Sequence, residues 1–501
     1  MQRGDVLVPF AVIRQEPVGH GGFHTGAFCF PDLHHPCLHW VYDCGSWHKA
    51  RTALQKRIKG LVKRVHRTKR PLDLLFVSHF DVDHVNGLHT LLDQLPVDTV
   101  VIPYLEPADA FVVVAAAVER QNATPATDPD WRKWLLELHQ IVFDPQSWFG
   151  RRGVRRVIRI RPGSAPEPGP AIGEGPLPLP ELPGTGEGEA PQARSFYPVF
   201  VRPDGSLLPP RSATKADKCE VMTVDAGTLV GLATRNGVWT DWWFVPYVHP
   251  ISDQARRDLQ AAIKRTLRVS RRDRLSDQLA HSLKHKAKRR ELAELYRREE
   301  LDDANGISMS LYEGPISMSP YKGPGYYSGR RTRFGRDQPS RHVGWLLTAD
   351  AKLQNRDQRR EWTQFFGARA SKAVGALMLP HHGADGNFHE SILEFAPDAK
   401  LFFTADHADK KRPQPNVKAT LKACNPPRPA FKVSERPRDI LEATSGPPGF
   451  FYPSVSSAND MNSSSRSVRR RFKICLDSIP APADPVARAS NLPVEDDDFM
   501  A

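Results

Sequence analysis

Short runs of apolar and β-branched residues alternate with amphipathic stretches over the first 160 residues. Runs bounded by turn-forming residues predict strands at 6–13, 38–43, 74–78 and 99–103. Apolar residues at helical spacing predict a helix between the second and third of these strands: Leu54, Ile58, Leu61, Val62 and Val65. Because Pro9 cannot donate a ladder hydrogen bond, the first strand is expected at a sheet edge. Alternating strands and helices are typical of an α/β fold.

The middle of the chain changes composition twice. Residues 161–194 are rich in Pro and Gly and poor in aromatic residues, which predicts a linker over 161–215. Strand-like runs and a long helical stretch over 252–303, with many Lys and Arg, then predict a basic helical insertion over 216–304. Its basic face is either an ordinary solvated surface or a binding site for phosphate groups, and the pattern favours neither interpretation.

The α/β pattern returns over residues 305–445. Strand-like runs lie at 308–312, 342–347, 376–379 and 400–404, with a helical run over 359–366. Beyond residue 446 the chain is rich in Ser, Asn and Pro, with a basic run, a short strand-like run at 472–476 and an acidic end. Most of this tail is predicted to be disordered.

Composition narrows the functional classes. The chain has 501 residues, of which 40% are hydrophobic and 25% charged, as in soluble globular proteins. The 70 Lys and Arg exceed the 57 Asp and Glu, and a net charge of +13 favours polyanionic partners such as nucleic acid. Neither a membrane span nor a signal peptide is predicted, so we expect a cytoplasmic protein with no membrane partner. Six cysteines without a CxxC pair predict reduced thiols and no cysteine-based zinc site.

The segment LLFVSHFDVDHVNGL carries the candidate chemistry. His79, Asp81 and Asp83 alternate after an apolar run, so an extended chain would point them to one side, and His84 follows directly. Carboxylates buried together repel each other unless cations neutralise them. Imidazoles and carboxylates at the carboxyl end of a buried strand therefore predict a metal site on a rigid scaffold.

This segment resembles the HxHxDH motif of the metallo-β-lactamase superfamily, with Asp81 in place of the second histidine. The HxDxDH form resembles the soluble nuclease domain of bacterial DNA-uptake competence proteins. Further segments match that domain in order and approximate spacing: VGHG at 18–21, VYDCG at 41–45, LLTAD at 346–350 and LPHHG at 379–383. The resemblance covers about residues 5–160 and 300–425.

The resemblance implies a four-layer αββα sandwich of the metallo-β-lactamase type that holds two divalent metal ions. The expected metal ligands are His79, Asp81, Asp83, His84, Asp350, His381 and His382. Three carboxylates beside imidazoles favour Mn²⁺ as well as Zn²⁺. Asp350 is the expected bridge between the ions, which would share an activated hydroxide. Asp83, Asp350 and His382 form the expected catalytic set.

Other residues are expected around these ligands. His381 and His382 would point to opposite sides of an extended chain, so one is expected to bind metal and the other to lie behind it or face substrate. Asp43 is expected to brace the metal loop rather than bind the ion. His20 either contacts substrate or fills a glycine-rich turn. His407 and Arg412 are placed in the same surrounding group, with Arg412 where the similar nuclease has a histidine.

Three functions follow from this arrangement. The first is a metal-dependent phosphodiesterase that cleaves DNA or RNA, with basic residues around the site binding the flanking phosphates. The second keeps the metal site but acts on a small ester, lactone, thioester or cyclic nucleotide, since a fold alone does not select the substrate. The third is a catalytically degenerate module that binds a protein partner through the basic insertion or the tail.

Overall fold

The structure, a computed structural model, describes a large part of the chain in segments. The described residues are 9–29, 37–47, 50–68, 70–123, 130–163, 196–209, 218–234, 238–250, 254, 257–258, 261, 272–298, 307–316, 325–329, 338–340, 342–428 and 430–445. The predicted tail, with its strand-like run at 472–476, lies outside these residues, as do residues 164–195 of the predicted linker.

Strands and helices alternate over the described residues. The strands are β1 (Phe10–Gln15), β2 (His24–Cys29), β3 (Leu38–Tyr42), β4 (Leu72–Phe76), β5 (Val97–Pro103), β6 (Arg156–Ile160), β7 (Phe196–Val201), β8 (Glu220–Val224), β9 (Leu229–Thr234), β10 (Trp239–Val248), β11 (Met309–Pro315), β12 (Gly325–Gly329), β13 (Gln338–Ser340), β14 (Gly344–Leu347), β15 (Val374–Met378), β16 (Leu401–Ala405), β17 (Ala430–Val433) and β18 (Leu441–Ser445). The helices are α1 (Arg51–His66), α2 (Val82–Val85), α3 (Leu88–Leu92), α4 (Pro107–Ala123), α5 (Asp130–Phe143), α6 (Pro145–Gly150), α7 (Arg272–Lys284), α8 (Lys286–Arg298), α9 (Arg356–Ala373), α10 (Ser391–Phe395) and α11 (Pro415–Ala423).

The described strands form two sheets. The first has the order β13-β12-β18-β1-β2-β3-β4-β5-β6-β8 and the second β17-β16-β15-β14-β11-β10-β9-β7. Strands β3 to β6 and β8 are parallel neighbours in the first sheet. Strands β14 to β17 are parallel neighbours in the second. Carboxyl ends of parallel strands meet at one edge, so each sheet provides one edge where loops can assemble a site.

The two sheets pack face to face through aromatic side chains. Trp40 of β3 lies edge-on to Phe244 of β10, with ring centroids 5.4 Å apart. Phe28 of β2 meets Trp242 in the same way at 5.2 Å. Helices cover the outer faces: α1 buries its apolar side in the same core as the first sheet, and Phe366 of α9 packs on the second. The αββα sandwich expected from the sequence is confirmed.

A buried polar contact also joins the two sheets. The Glu313 carboxylate of β11 accepts a hydrogen bond from the indole N–H of Trp40 and lies 2.7 Å from Nε2 of His24. All three side chains are inaccessible to solvent or nearly so. A buried carboxylate is costly without partners, so this pair of contacts helps to fix how the sheets are aligned.

The predicted boundaries of the middle region are wrong in two respects. Residues 196–201, assigned to the linker, form β7 and pair with β9. Strands β8 and β10, assigned to an insertion, belong to the two main sheets, where β8 pairs with β6 and β10 with β11. Their apolar residues are buried in the core of the sandwich. Domain boundaries drawn from composition alone do not detect such long-range packing.

The basic helices do lie outside the sheets. Helices α7 and α8 pack against α5 and α4 on the side of the first sheet. The predicted continuous helix is interrupted between Lys284 and Lys286, and residues 299–303 lie outside the described residues. The edge position expected for the first strand is also wrong, because β1 pairs with β18 on one side and β2 on the other.

Two further findings bear on the composition. None of the helices in the described segments is long and apolar enough to cross a membrane. The five described cysteines are thiols, and four of them are buried, whereas Cys475 lies outside the described residues.

Candidate metal centre

Loops from both sheets meet at the carboxyl ends of their parallel strands. The loop after β4 supplies the HxDxDH residues, the loop after β14 supplies Asp350, and the loop after β15 supplies the paired histidines. The turn between β1 and β2 adds His20, whose Nε2 atom lies 3.4 Å from Asp83 Oδ2. The site residues predicted from three separate sequence segments are therefore brought together.

The HxDxDH loop changes conformation halfway along. Asp81 is extended, with φ −68° and ψ 148°, and α2 then begins at Val82. The backbone N–H of His84 donates to the Asp81 carbonyl at 2.9 Å. The expectation of one extended run is therefore wrong for Asp83, which lies in the first helical turn. Its side chain consequently has different partners from those of the His79 side chain.

Two groups of three side chains could each hold a metal ion. The inner triad is His79, His84 and Asp350, and the outer triad is His20, Asp83 and His382. Within each triad the candidate ligand atoms lie within 4.8 Å of one another. The inner triad is entirely buried, whereas His20 of the outer triad is partly exposed.

The spacing within the triads suits metal binding. His79 Nε2 lies 3.5 Å from Asp350 Oδ2, and His84 Nε2 lies 3.6 Å from Asp350 Oδ1. Asp83 Oδ2 lies 3.4 Å from His20 Nε2 and 3.5 Å from His382 Nε2. Ligands at the usual distances from a tetrahedral zinc ion are about 3.3 Å apart, close to these separations.

Buried polar atoms without hydrogen-bond partners are a second reason to expect metal binding at the triads. The Nε2 atoms of His79, His84 and His382 and the Oδ1 atom of Asp350 are buried without a hydrogen-bond partner. Buried polar atoms are normally satisfied, and these four face one another in one place. A divalent cation would satisfy them together, so the residues present fit the metal pair that the fold implies.

Asp350 lies between the two triads. Its Oδ1 atom is 3.6 Å from His84 Nε2 and 3.8 Å from His382 Nε2. The backbone helps to hold it there: Ala349 has φ 46°, and its carbonyl accepts the N–H of His381 at 2.8 Å. A carboxylate in contact with both triads is suited to bridging two ions, the role expected for Asp350.

Asp43 braces the inner triad from behind. Its Oδ2 atom lies 2.7 Å from His84 Nδ1 and accepts the Ser78 hydroxyl at 2.7 Å. Its Oδ1 atom accepts the Ser78 backbone N–H at 2.7 Å. A carboxylate on Nδ1 orients the ring so that Nε2 faces the ligand side. This geometry agrees with a bracing role for Asp43.

The paired histidines are not extended. His381 and His382 both have left-handed backbone conformations, with φ 46° and 55°, inside a 3₁₀ turn over Pro380–Gly383. The turn separates their roles more sharply than an extended chain would. His382 is buried in the outer triad, whereas the His381 side chain is 30% exposed and places Nε2 3.9 Å from Asp350 Oδ2.

Asp81 lies beside the inner triad with a partner of its own. His79 Nε2 is 3.6 Å from Asp81 Oδ2, and the Arg120 guanidinium of α4 contacts the same oxygen. Burial would raise the pKa of the Asp81 carboxyl, but Arg120 and His79 lower it below its ordinary value. Asp81 is therefore an ionised carboxylate that Arg120 already neutralises.

Charge is balanced tightly among the ligands. Burial opposes charge on His79 and Asp350, but Asp350 raises the pKa of His79, and His381 with other nearby imidazoles lowers that of Asp350. Burial and the nearby His20 lower the pKa of His382 to about 4, so this imidazole is neutral at pH 7. Metal ions compete with protons for such groups, so metal binding is expected to weaken in acid.

A sequence model of the metallo-beta-lactamase superfamily matches residues 39–191, which include the HxDxDH loop. The match supports membership of the metallo-β-lactamase superfamily. Together with the two histidine–aspartate clusters, it indicates a metal-dependent hydrolase. No curated protein matches the chain.

Three residues around this site were not predicted from the sequence. Asp406 follows β16 and lies 2.9 Å from His20 Nδ1, Arg120 contacts Asp81, and Ser78 binds Asp43. Only Asp406 carried a usable signal, since it stands at the carboxyl end of a predicted strand like the other site residues. Arg120 lies in a helix that the sequence analysis did not predict.

The two remaining predicted residues lie at the edge of the centre. The His407 ring stacks at 6.1 Å from that of His20, and its Nδ1 atom is 3.7 Å from Glu435. Arg412 Nε lies 3.9 Å from Asp406 Oδ2. Neither belongs to a triad, and a role for both behind the ligands or facing substrate stays a prediction.

Proposed function

We propose that this protein is a metal-dependent phosphodiesterase whose substrate is a nucleic acid. The family match and the two triads support metal-dependent hydrolysis. The observation that carries the choice of substrate is the position of Arg120, whose side chain contacts Asp81 and is 31% exposed. Guanidinium groups bind phosphate oxygens through paired N–H donors, so Arg120 is suited to holding a phosphodiester next to the inner triad.

The basic helices bring further Lys and Arg residues next to the helix that carries Arg120. Helix α8 packs on α4, the helix that carries Arg120, and Arg297 lies 3.9 Å from Glu119 beside it. Among the side chains that the structure describes on α7 and α8, the exposed Lys and Arg residues are Lys284, Lys286, Lys288, Arg290 and Arg297. A polyanion bound at Arg120 would continue along these helices, and the net charge of +13 favours its approach.

The side chains can divide the work of hydrolysis. Divalent ions held by the two triads would activate water and neutralise charge on the phosphate. Asp350 contacts both triads and would keep them in register. Arg120 would hold a phosphate oxygen, and the partly exposed His381 can donate a proton to the leaving oxygen.

The test is a digestion panel with single- and double-stranded DNA and RNA in Mn²⁺ or Zn²⁺. We expect hydrolysis by the wild type and its loss in Asp350→Ala and Asp83→Ala. Asp357→Ala is the matched control, because this carboxylate is exposed on α9 and pairs only locally with Arg360. Hydrolysis that survives in both ligand variants would remove this site from the mechanism.

The same panel separates the alternative functions. Small esters, lactones, thioesters and cyclic nucleotides are included as substrates, and rates are measured across a range of salt concentrations. Binding through several phosphates weakens steeply with salt, whereas a small neutral substrate is largely insensitive. Turnover of a small substrate alone would contradict the proposal. A chain that binds no metal and hydrolyses nothing would indicate a partner-binding module.

A further inference from the structure

The outer triad includes a histidine from outside the metal-binding loops. His20 lies in the turn between β1 and β2, and its Nε2 atom is 3.4 Å from Asp83 Oδ2. Its ring centroid lies 4.0 Å from that of His382. We infer that His20 is a direct ligand of the outer metal ion and that Asp406 is the residue that positions its ring. This inference rests on the metal-dependent part of the proposed function and not on the phosphodiester substrate.

The contacts of the imidazole fix which nitrogen is available. His20 Nδ1 lies 2.9 Å from Asp406 Oδ1, an oxygen that also accepts the backbone N–H of His407 at 2.7 Å. Because a carboxylate only accepts hydrogen bonds, Nδ1 donates its proton to Asp406, and in the neutral imidazole the Nε2 lone pair then faces Asp83. A carboxylate behind a metal-binding histidine is the usual way to set its tautomer and orientation.

The backbone of the His20 turn packs against the loop that carries Asp83. Gly22 N–H donates to the Asp83 carbonyl at 3.1 Å, and the His20 carbonyl accepts Trp47 N–H at 2.7 Å. Gly21 has φ 140°, and a Cβ atom there would lie 2.4 Å from the Asp83 carbonyl oxygen. The turn therefore fits only with glycine at this contact, and the fit holds His20 against Asp83.

A histidine that only filled the turn would not need this arrangement. The His20 side chain is 25% exposed, so the turn does not depend on its complete burial. Both ring nitrogens nevertheless face carboxylates, one on each side. Two imidazoles and one carboxylate from His20, Asp83 and His382 form a donor set used in catalytic zinc sites, which keep a further position open.

The test measures metal binding rather than turnover. Metal-free full-length protein is titrated with Mn²⁺ and with Co²⁺ by calorimetry, and bound metal is counted by elemental analysis after dialysis. We expect two ions per wild-type chain. His20→Ala should keep one ion at wild-type affinity and weaken the other by roughly 10- to 100-fold or more, and Asp406→Asn should weaken the same ion by less.

A control separates a metal ligand from a structural residue. His89→Ala removes a half-exposed histidine on α3 that pairs with Asp93, and it should leave both affinities unchanged. Unfolding temperatures of the metal-free variants report any cost to the turn itself. Wild-type affinity for both ions in His20→Ala would overturn the inference, whether or not the variant unfolds earlier.

The two proposals fail in different ways. Two bound ions, with one dependent on His20, would support this inference even if the digestion panel found no nucleic acid hydrolysis. A wild-type chain that binds only one ion would overturn the assignment of His20 to a second site, even if that chain cleaved DNA or RNA.

Discussion

The inner triad takes two of its three residues from one loop, whereas the outer triad takes each residue from a different part of the chain. His79 and His84 both belong to the HxDxDH segment after β4, with His84 in α2. His20 comes from the turn before β2, Asp83 from α2 and His382 from the turn after β15. The inner triad is therefore largely a local feature of one motif, and the outer triad depends on the packing of distant segments.

Both triads use a buried carboxylate to orient a histidine, but not equally. Asp43 is fully buried and receives Ser78 through both its backbone N–H and its hydroxyl while it contacts His84. Asp406 contacts His20 through Oδ1, while its Oδ2 atom is buried without a hydrogen-bond partner and has Arg412 Nε 3.9 Å away. A less completely held carboxylate predicts a more easily disturbed outer triad.

The largest expected effect comes from Asp350, the inner-triad residue that also contacts the outer triad. Asp350→Ala removes contacts to His79, His84 and His382 at once. We expect weak binding of both ions and a loss of hydrolysis on the order of 10³-fold, since the cations that would neutralise developing charge on the substrate are lost with Asp350. Metal counting and rates on a phosphodiester substrate test this. Retention of both ions would show that the triads do not depend on a bridge.

The next effect distinguishes the triads from each other. Asp43→Asn keeps an acceptor for Ser78 but removes the charge beside His84. The affinity of the inner ion should fall by about 10- to 100-fold while that of the outer ion changes little. This is the mirror image of Asp406→Asn, measured in the same titration. An equal loss of both ions in either variant would mean that the two triads behave as one site.

The contact between the His20 turn and the Asp83 backbone can be tested by measuring stability. Gly21→Ala places a Cβ atom 2.4 Å from the Asp83 carbonyl oxygen, in a backbone conformation with φ 140°. We expect a loss of about 2–4 kcal/mol in the free energy of unfolding and weaker binding of the outer ion. Gly153→Ala is the matched control, because Gly153 has φ 76° and open space around it. Denaturant unfolding measures both variants. Equal losses of unfolding free energy would show that backbone strain alone, and not the contact with Asp83, causes the effect.

Local patterns predicted much of the fold and most of the inner triad. Strands β3, β4 and β5 and helix α1 follow apolar spacing that neighbours in sequence determine. The candidate ligands His79, His84 and Asp350 stand within a few residues after predicted strands, where parallel strands deliver their side chains to one edge. Such features depend on sequence-local periodicity and a recognisable motif.

Long-range pairing explains what the sequence did not predict. Strand β18, with the alternating sequence LEATS, covers the side of β1 that Pro9 made appear exposed, and β8 and β10 join sheets built from residues far away. The His20–Asp406 contact joins segments 386 positions apart. No periodicity reports such a contact, and the left-handed turn at His381 and His382 has no glycine at either position to signal it.

The smallest expected effect concerns Arg120 beside the inner triad. Arg120→Ala should raise KM for a phosphodiester by about 10-fold, with little change in kcat, because a phosphate contact worth about 1–2 kcal/mol is lost. The dependence of nucleic acid binding on salt should become shallower by about one unit in a double-logarithmic plot. Arg155→Ala is the control. This half-exposed arginine lies just before β6 and pairs with Asp98 of β5, at the amino ends of these strands and away from the ligand loops.

This variant also tests why Asp81 stands where the similar motif has a histidine. Arg120 contacts Asp81, so the carboxylate is neutralised by an arginine before any ion arrives. If that were the only role of Arg120, its removal would free Asp81 for the inner ion, and Mn²⁺ would bind more tightly at unchanged KM. A rise in KM with unchanged Mn²⁺ affinity would instead assign the guanidinium to substrate. The inner triad would then be a metal site with its own phosphate-binding arginine.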